Sequence, residues 1–325
     1  MPKKDKIYFF LPDLRIGGAQ KVLISLISKM MELNYDIELI LLYKDGALLE
    51  KLPDKLNIII LTNSNHISLI NYSLAFYKLC YFLIDKKPML ILSSLTGTNI
   101  FLLCAKWISH SKTKVIIQET NTLINIKSTI KYHLAKLIYP LANGIIAKSY
   151  GIKKDLVEKF LIVPQKVKVL YNPVNQDEII LKSKEIITEN FIHHKIKTII
   201  SIGRLIEQKD YPTLIRSFEL INQQVDSQLI IIGDGKEKQE LMTLIKSLKL
   251  ENRVYLPGYK LNPYKYLRYA DLFMLTSKWE GFPNVILEAL ALNKAIIATD
   301  CHSGPGEMKK HISNEIKLAP VGDYN

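Results

Sequence analysis

Short apolar runs of strand length alternate with longer helix-length segments twice along these 325 residues, and this alternation restricts the fold more than any other feature. In the first half, strands are expected at residues 6–11, 36–43, 57–61, 89–93, 114–118 and 144–148. Helices are expected between them at 18–33, 67–84, 98–109, 127–141 and 151–159. The second half repeats the theme, with strands at 197–202, 228–232, 254–256, 272–275 and 295–298 and helices at 212–222, 236–249, 263–269 and 284–292. Strands separated by helical segments of roughly 10–15 residues build βαβ units and parallel sheets. Two such blocks predict an α/β protein of two doubly wound domains, 1–171 and 197–325, joined by a polar, helix-capable linker, 172–196. Pro173 ends the strand before that boundary. Ligands of open α/β sheets bind outside the carboxyl ends of the strands, so two such domains facing each other would hold a ligand between them.

Composition narrows the class. A chain with 48% hydrophobic and 23% charged residues is ordinary for a folded soluble protein. Cys80, Cys104 and Cys301 are widely separated and form no Cys-x-x-Cys pair. Reduced thiols of a cytoplasmic protein are expected, not a disulfide framework or a zinc site. The apolar run at 7–12 is too short for a signal peptide, and the runs at 74–84 and 89–95 fall short of the roughly 20 residues that span a bilayer. The net charge of +13 is uneven. Residues 1–170 carry 24 Lys/Arg against 12 Asp/Glu, and residues 171–325 carry 20 against 19. A basic first half suits an anionic membrane, an acidic substrate or nucleic acid, and it equally suits a lysine-rich surface that serves only solubility. No helix-turn-helix, zinc finger or RNA-binding aromatic motif supports nucleic acid.

The segment Trp279-Glu280-Gly281-Phe282-Pro283-Asn284 followed by Val285–Ala289 reads as strand, acidic turn and helix N-terminus, with Pro283 in the first helical turn. Free N–H groups at such a terminus bind phosphate. Glu280 and Glu288 would repel phosphate but accept hydrogen bonds from hydroxyls. The implied ligand therefore carries both phosphate and hydroxyls, as a nucleotide sugar does. Arg204 and Lys209 lie in the loop after the second domain's first strand, where a rigid guanidinium fork and a lysine charge meet phosphate oxygens. Gly17 and Gly18 open a helix after the first strand and permit close backbone approach. That pattern also fits a plain strand-to-helix turn. Asp234 between two glycines is expected to shape a turn and cap a helix. Residues 300–307 read as a turn bringing Glu307 near a ligand, with His302 a bystander. In the first domain, Glu119 and Asn121, with Ser93, Ser94 and Asn99, end strands and suit a hydroxyl-rich acceptor or simple loop capping. The apolar spacing at 126–141, interleaved with Lys127, Lys131 and Lys136, fits a helix lying on a membrane or one packed on a core. The aromatic stretch 72–82 leaves the same two alternatives.

Taken together, GGAQ (17–20), NPV (172–174), SIGRL (201–205) with Lys209, GDG (233–235), LPGY (256–259), WEGFPNVILEALA (279–291) and ATDCHSGPGE (298–307) resemble the signature of glycosyltransferase family 4. The Glu280/Glu288 pair enclosing Gly-Phe-Pro is the specific part. The resemblance implies a GT-B fold and transfer of a sugar with retention of configuration, from a nucleotide diphosphate sugar such as a UDP-sugar. The acceptor is then a glycan or a polyprenyl-diphosphate-linked saccharide of surface polysaccharide assembly. It implies no cofactor and no catalytic metal, and with the basic first half it fits a cytoplasmic protein peripheral to the inner face of an anionic membrane; the lack of a nucleic-acid motif leaves no nucleic acid partner expected. By the same resemblance Arg204 and Lys209 hold the diphosphate, Glu280 meets the transferred sugar, and Glu288 meets the ribose. The segment Gly281, Phe282, Pro283 and Asn284 lines the sugar and phosphate, with the backbone N–H groups of Gly281, Phe282 and Asn284 as donors, and Gly17 and Gly18 approach the diphosphate. Two departures stand out: Gln20 replaces the usual glutamate, and no histidine occurs near 118–121. Relatives usually continue for tens of residues beyond position 325, so the second domain is expected to be incomplete. A nucleotide-binding remnant without turnover is the alternative.

Overall fold

The computed structural model describes residues 6–15, 17–62, 68–122, 129–189, 191–192 and 195–324. The chain divides after Asn172 into two compact units. The first carries a seven-stranded sheet in the order β3-β2-β1-β4-β5-β6-β7. Its strands are β1 (Ile7–Leu11), β2 (Ile37–Tyr43), β3 (Asn57–Thr62), β4 (Leu90–Ser94), β5 (Lys114–Glu119), β6 (Gly144–Ala147) and β7 (Val167–Val169). Every pairing is parallel. Because side chains alternate across a strand, Phe9 and Phe10 enter opposite cores. Phe9 packs with α1 (Gly18–Glu32) through Leu23 and Ile27. Phe10 joins the cluster formed with α2 (Leu69–Asp85), α3 (Thr96–Ile108) and α4 (Thr129–Ile138). Each such buried side chain contributes about 1.5–3 kcal/mol. Helix α5 (Tyr150–Glu158) starts where the Ser149 hydroxyl accepts from the Ile152 N–H at 3.2 Å, a side-chain N-cap.

The second unit opens with α6 (Gln176–Ser183). Its six parallel strands run in the order β10-β9-β8-β11-β12-β13. They are β8 (Lys197–Ile202), β9 (Ser227–Ile232), β10 (Val254–Tyr255), β11 (Leu272–Leu275), β12 (Ala295–Thr299) and β13 (Ile316–Ala319). Helices α7 (Tyr211–Gln224), α8 (Lys238–Ser247), α9 (Tyr264–Tyr269), α10 (Asn284–Ala291) and α11 (Pro305–His311) cover it. Of the residues read as a linker, all but Asn172 fall in this unit. They are tied down where Asn262 Nδ2 donates to the Lys182 carbonyl at 2.8 Å and Lys260 pairs with Glu189 at 3.0 Å.

Most expected strands agree with the observed ones to within a residue. The edge strands β7 and β13 went unread because three or four residues carry little periodic signal. Residues 300–307, read as a turn, lead into α11 at Pro305, a favourable first-turn position. In each sheet the strand order reverses once, between β1 and β4 and between β8 and β11. A ligand crevice opens at that reversal, where consecutive loops diverge to opposite faces.

Candidate functional site

The reversal in the second sheet brings together the loop after β8 and the loop after β11. Two hydrogen bonds from Thr276 stitch them, its hydroxyl donating to the carbonyls of Lys209 and Asp210 at 3.0 Å each. Gln208 adds two more, donating from Nε2 to the Trp279 carbonyl at 2.9 Å and accepting from the Lys278 N–H at 2.8 Å. Asp210 adopts φ 48° to turn the first loop into α7. The result holds Lys209 Nζ 2.5 Å from Glu280 Oε1, with side chains only 12% and 8% exposed. The Ser277 hydroxyl donates to the same oxygen at 2.7 Å. A lysine ammonium has three N–H donors, so the pair leaves donor capacity on Lys209 while fixing its direction. Gly203 makes room for it: a Cβ there would lie 3.1 Å from Lys209 Cε and 2.9 Å from the Tyr211 hydroxyl. Arg204 is exposed on the same loop.

The glycine turn after β9 is structural. Gly233 has φ 155°, and a Cβ there would sit 1.8 Å from the Gly203 carbonyl oxygen. Asp234 does not cap α8. Its carboxylate accepts from the Gly235 N–H at 2.8 Å and holds the turn.

After β11, Gly281, Phe282 and Pro283 are buried and lead into α10. Pro283 is the residue before the helix (φ −74°, ψ 99°), not part of its first turn, so the helix opens at Asn284. The loop is braced from behind. Ser303 Oγ donates to the Gly281 carbonyl at 3.1 Å, and Gly304 packs so closely that a Cβ would meet Pro283 Cδ at 2.8 Å. His302 pairs by backbone with Trp279. Glu288 lies half-buried on α10 and accepts from the hydroxyl of Tyr264, whose phenol is pushed up mainly by burial and then by that carboxylate. Burial pushes the nearby Cys301 thiol up to about 12. Ser277, Thr276, Gln208 and Tyr264 were not singled out from sequence. Ser277, three residues before Glu280, was the one with a local signal.

In the first unit, Gly17 precedes α1 with extended backbone and no side-chain cap, and Gly18 is its exposed first residue. Glu119, read as facing an acceptor, is instead fully buried. Its oxygens accept from the Tyr139 hydroxyl at 2.6 Å and from the Thr96 hydroxyl at 3.1 Å. The backbone N–H groups of Thr120 and Asn121 complete the set, and burial pushes the carboxyl up. Asn121 itself is exposed. Asn99 Nδ2 donates to the Gln118 carbonyl at 3.0 Å.

Comparison with known proteins gives the family and the fold. Residues 182–320 match the family model described as glycosyl transferases group 1. The chain is 32% identical over 317 residues to a Campylobacter jejuni N-acetylgalactosamine-N,N'-diacetylbacillosaminyl-diphospho-undecaprenol 4-alpha-N-acetylgalactosaminyltransferase. That alignment covers 93% of this chain and 83% of the relative. Among solved structures it is similar to the lipopolysaccharide outer core galactosyltransferase WaaB, with TM-score 0.71 and 23% identity over 98% of this chain and 87% of that one. It is also similar to Anabaena HepE in complex with UDP and glucose, with TM-score 0.81 and 22% identity over the same shares. The chain therefore belongs to the glycosyl transferases group 1 and is a glycosyltransferase built of the two Rossmann-like units of the GT-B class.

Proposed function

We propose that the protein transfers a sugar, with retention of configuration, from a UDP-sugar to a saccharide carried on a lipid diphosphate, in assembly of a surface polysaccharide. The Lys209–Glu280 pair at the strand-order reversal of the second sheet carries this reading. As the anomeric C–O bond lengthens, negative charge grows on the departing diphosphate. Lys209, aimed by Glu280, and Arg204 neutralise it, and the N–H groups of Gly281, Phe282 and Asn284 add the partial positive charge of a helix start. Glu280 meets the sugar through its remaining lone pairs, and Glu288 accepts from the ribose hydroxyls. Gly17 and Gly18 admit the diphosphate to the backbone at α1. Asn121 meets acceptor hydroxyls, while Glu119 acts from within by holding the turn that presents Asn121. No nucleophilic side chain is assigned: the acceptor hydroxyl attacks the face the diphosphate leaves, and its proton passes to the departing diphosphate oxygen. The names of the relatives support the acceptor class: one acts on a diphospho-undecaprenol-linked sugar and another is a lipopolysaccharide galactosyltransferase.

Peripheral contact with an anionic membrane completes the reading. Among the described residues no helix is long and apolar enough to cross a bilayer. On α2, however, Ile70, Leu74, Tyr77, Tyr81 and Ile84 recur every three or four residues and are all exposed. Ile130, Leu134 and Leu137 do the same on α4, beside Lys131 and Lys136. Lys127 and Ile126 lie outside the described residues. Apolar stripes flanked by lysine suit the headgroup boundary, each basic side chain there contributing about 1 kcal/mol.

The test is a melting experiment followed by turnover. UDP should raise the melting temperature by mass action, and UDP-sugar hydrolysis should disappear in Arg204→Ala and Glu280→Ala. Stabilisation by DNA but not by UDP or GDP would refute the proposal, as would hydrolysis surviving both substitutions.

A further inference from the structure

Three buried polar side chains stand at one edge of the first sheet: two have no hydrogen-bond partner, and the third forms no ion pair with any described residue. Ser94 ends β4, Gln118 is the next-to-last residue of β5, and Lys148 directly follows β6. Ser94 is in register with Gln118, and Gln118 with Ile146. Lys148 is the first residue beyond β6, two past Ile146, at the same carboxyl edge of the sheet. Neighbouring strands lie about 4.8 Å apart, so the three groups occupy adjacent strands at the carboxyl edge of the sheet. Their exposures are 0%, 3% and 5%. Ser94 Oγ and Gln118 Nε2 have no hydrogen-bond partner. Lys148 forms no ion pair with any described residue, and burial alone governs its ammonium. The nearest strand-end carboxylate, Glu119, points to the opposite face and is sealed by Tyr139 and Thr96.

A folded chain does not retain an uncompensated ammonium and two idle polar groups side by side without cost. All three groups are donors, through a hydroxyl, an amide N–H and an ammonium, and together they fit the oxygens of an anion. A second feature converges on the same edge. Helix α1 packs on the Phe9 and Leu11 face, which is the face of Ser94 because Phe10 is in register with Ser93. Its N-terminus at Gly17 has no side-chain cap, so its first N–H groups also point outward as donors. The second unit supplies its own cations, Arg204 and Lys209, whereas Lys148 lies in the half of the chain that carries the excess of lysine.

We infer that Ser94, Gln118 and Lys148 form a phosphate seat in the first unit that takes the diphosphate of the acceptor. The acceptor assignment rests on the function proposed above; the anion seat itself does not. The experiment uses the full chain with saturating UDP present, so that the donor site is already filled, and inorganic pyrophosphate as the probe. Millimolar pyrophosphate should raise the melting temperature of the wild type further. It should fail to do so in Lys148→Met and in Gln118→Leu, while both variants keep the UDP-dependent shift that reports a folded, donor-competent protein. Lys148→Met removes a buried unpaired charge, so its unliganded melting temperature should rise, which separates lost binding from misfolding. In turnover, the preference in kcat/KM for a diphosphate-linked acceptor over the same saccharide without phosphate should fall at least tenfold in Lys148→Met. A wild type indifferent to pyrophosphate, or a Lys148→Met variant stabilised as much as the wild type, overturns the seat. Loss of the pyrophosphate shift with an unchanged acceptor preference assigns the seat to free phosphate and overturns the acceptor assignment. Absence of a UDP shift in the wild type counts against the donor reading, and the pyrophosphate comparison still decides the seat.

Discussion

Neutralising Glu280 alone should unbalance the second unit more than removing the whole Lys209–Glu280 pair. At 2.5 Å two unit charges attract by about 7 kcal/mol at an effective dielectric constant of 20. Taking each ion out of water costs several kcal/mol, so the net worth of an intact buried pair is small, whereas breaking one costs about 3–5 kcal/mol. Both side chains here are about nine-tenths buried, which puts the pair in that regime. Glu280→Gln keeps an oxygen to accept from Ser277 and changes little but charge, leaving the Lys209 ammonium uncompensated. Its melting temperature should fall by roughly 6–20 °C, at 2–4 °C per kcal/mol for a unit of this size. The double variant Lys209→Met/Glu280→Gln should recover most of that loss. Urea midpoints for the four members of the cycle measure the coupling. UDP supplies the second arm: its phosphates replace the missing carboxylate as counter-ion for Lys209. The UDP-dependent rise should therefore be larger in Glu280→Gln than in the wild type and smaller than in the wild type in the double variant, where only Arg204 and the start of α10 remain to meet the phosphates. Strict additivity in the cycle, or a Glu280→Gln midpoint equal to the wild type, would refute the account of Lys209 as a cation held in place by Glu280.

Other outcomes follow from the same geometry. Burial lowers the Lys148 ammonium to about 8, against about 10.4 in the unfolded chain. Below pH 8 both states bind the proton and the full penalty is present; between pH 8 and 10.5 the unfolded state binds more, so stability should rise with pH by about 3 kcal/mol. Denaturation midpoints across that range should show the rise in the wild type and not in Lys148→Met. Gly203→Ala places a Cβ 3.1 Å from Lys209 Cε, and displacing that cation should lower kcat by about 10²-fold while a UDP melting shift persists. Tyr139→Phe removes one donor to the buried Glu119 carboxylate and should cost about 1–3 kcal/mol, read by urea denaturation. Cys301, its thiol pushed up to about 12, should be the last of the three cysteines to react with a thiol reagent at neutral pH.

The sequence disclosed the strands because central strands of a parallel sheet are buried on both faces and read as unbroken apolar runs. Ile199, Ile200, Leu229, Ile230 and Ile231 are all buried. It placed Arg204 and Lys209 in the loop after β8 and Glu280 in the loop after β11, because polar residues just beyond strand ends stand out against the apolar runs before them. It did not disclose that Lys209 and Glu280 are partners. They are 71 residues apart, and their meeting depends on β8 pairing directly with β11, a matter of sheet order that no local pattern encodes.

Glu119 shows the limit from the other side. A carboxylate ending a strand has one local pattern whether it faces a ligand or is sealed inside. What sealed it are Thr96 and Tyr139, 23 and 20 residues away on other elements. Ser94, Gln118 and Lys148 invert the case. Locally Ser94 stands out only as an acceptor contact or a loop cap and Gln118 and Lys148 not at all, and it is the order of β4, β5 and β6 in the sheet that brings the three to one edge. A polar residue at a strand end thus carries information about a site only together with its satisfaction. Glu119 is satisfied from within and so is structural, while Lys148 is buried with no counter-ion among the described residues and so points to a bound anion.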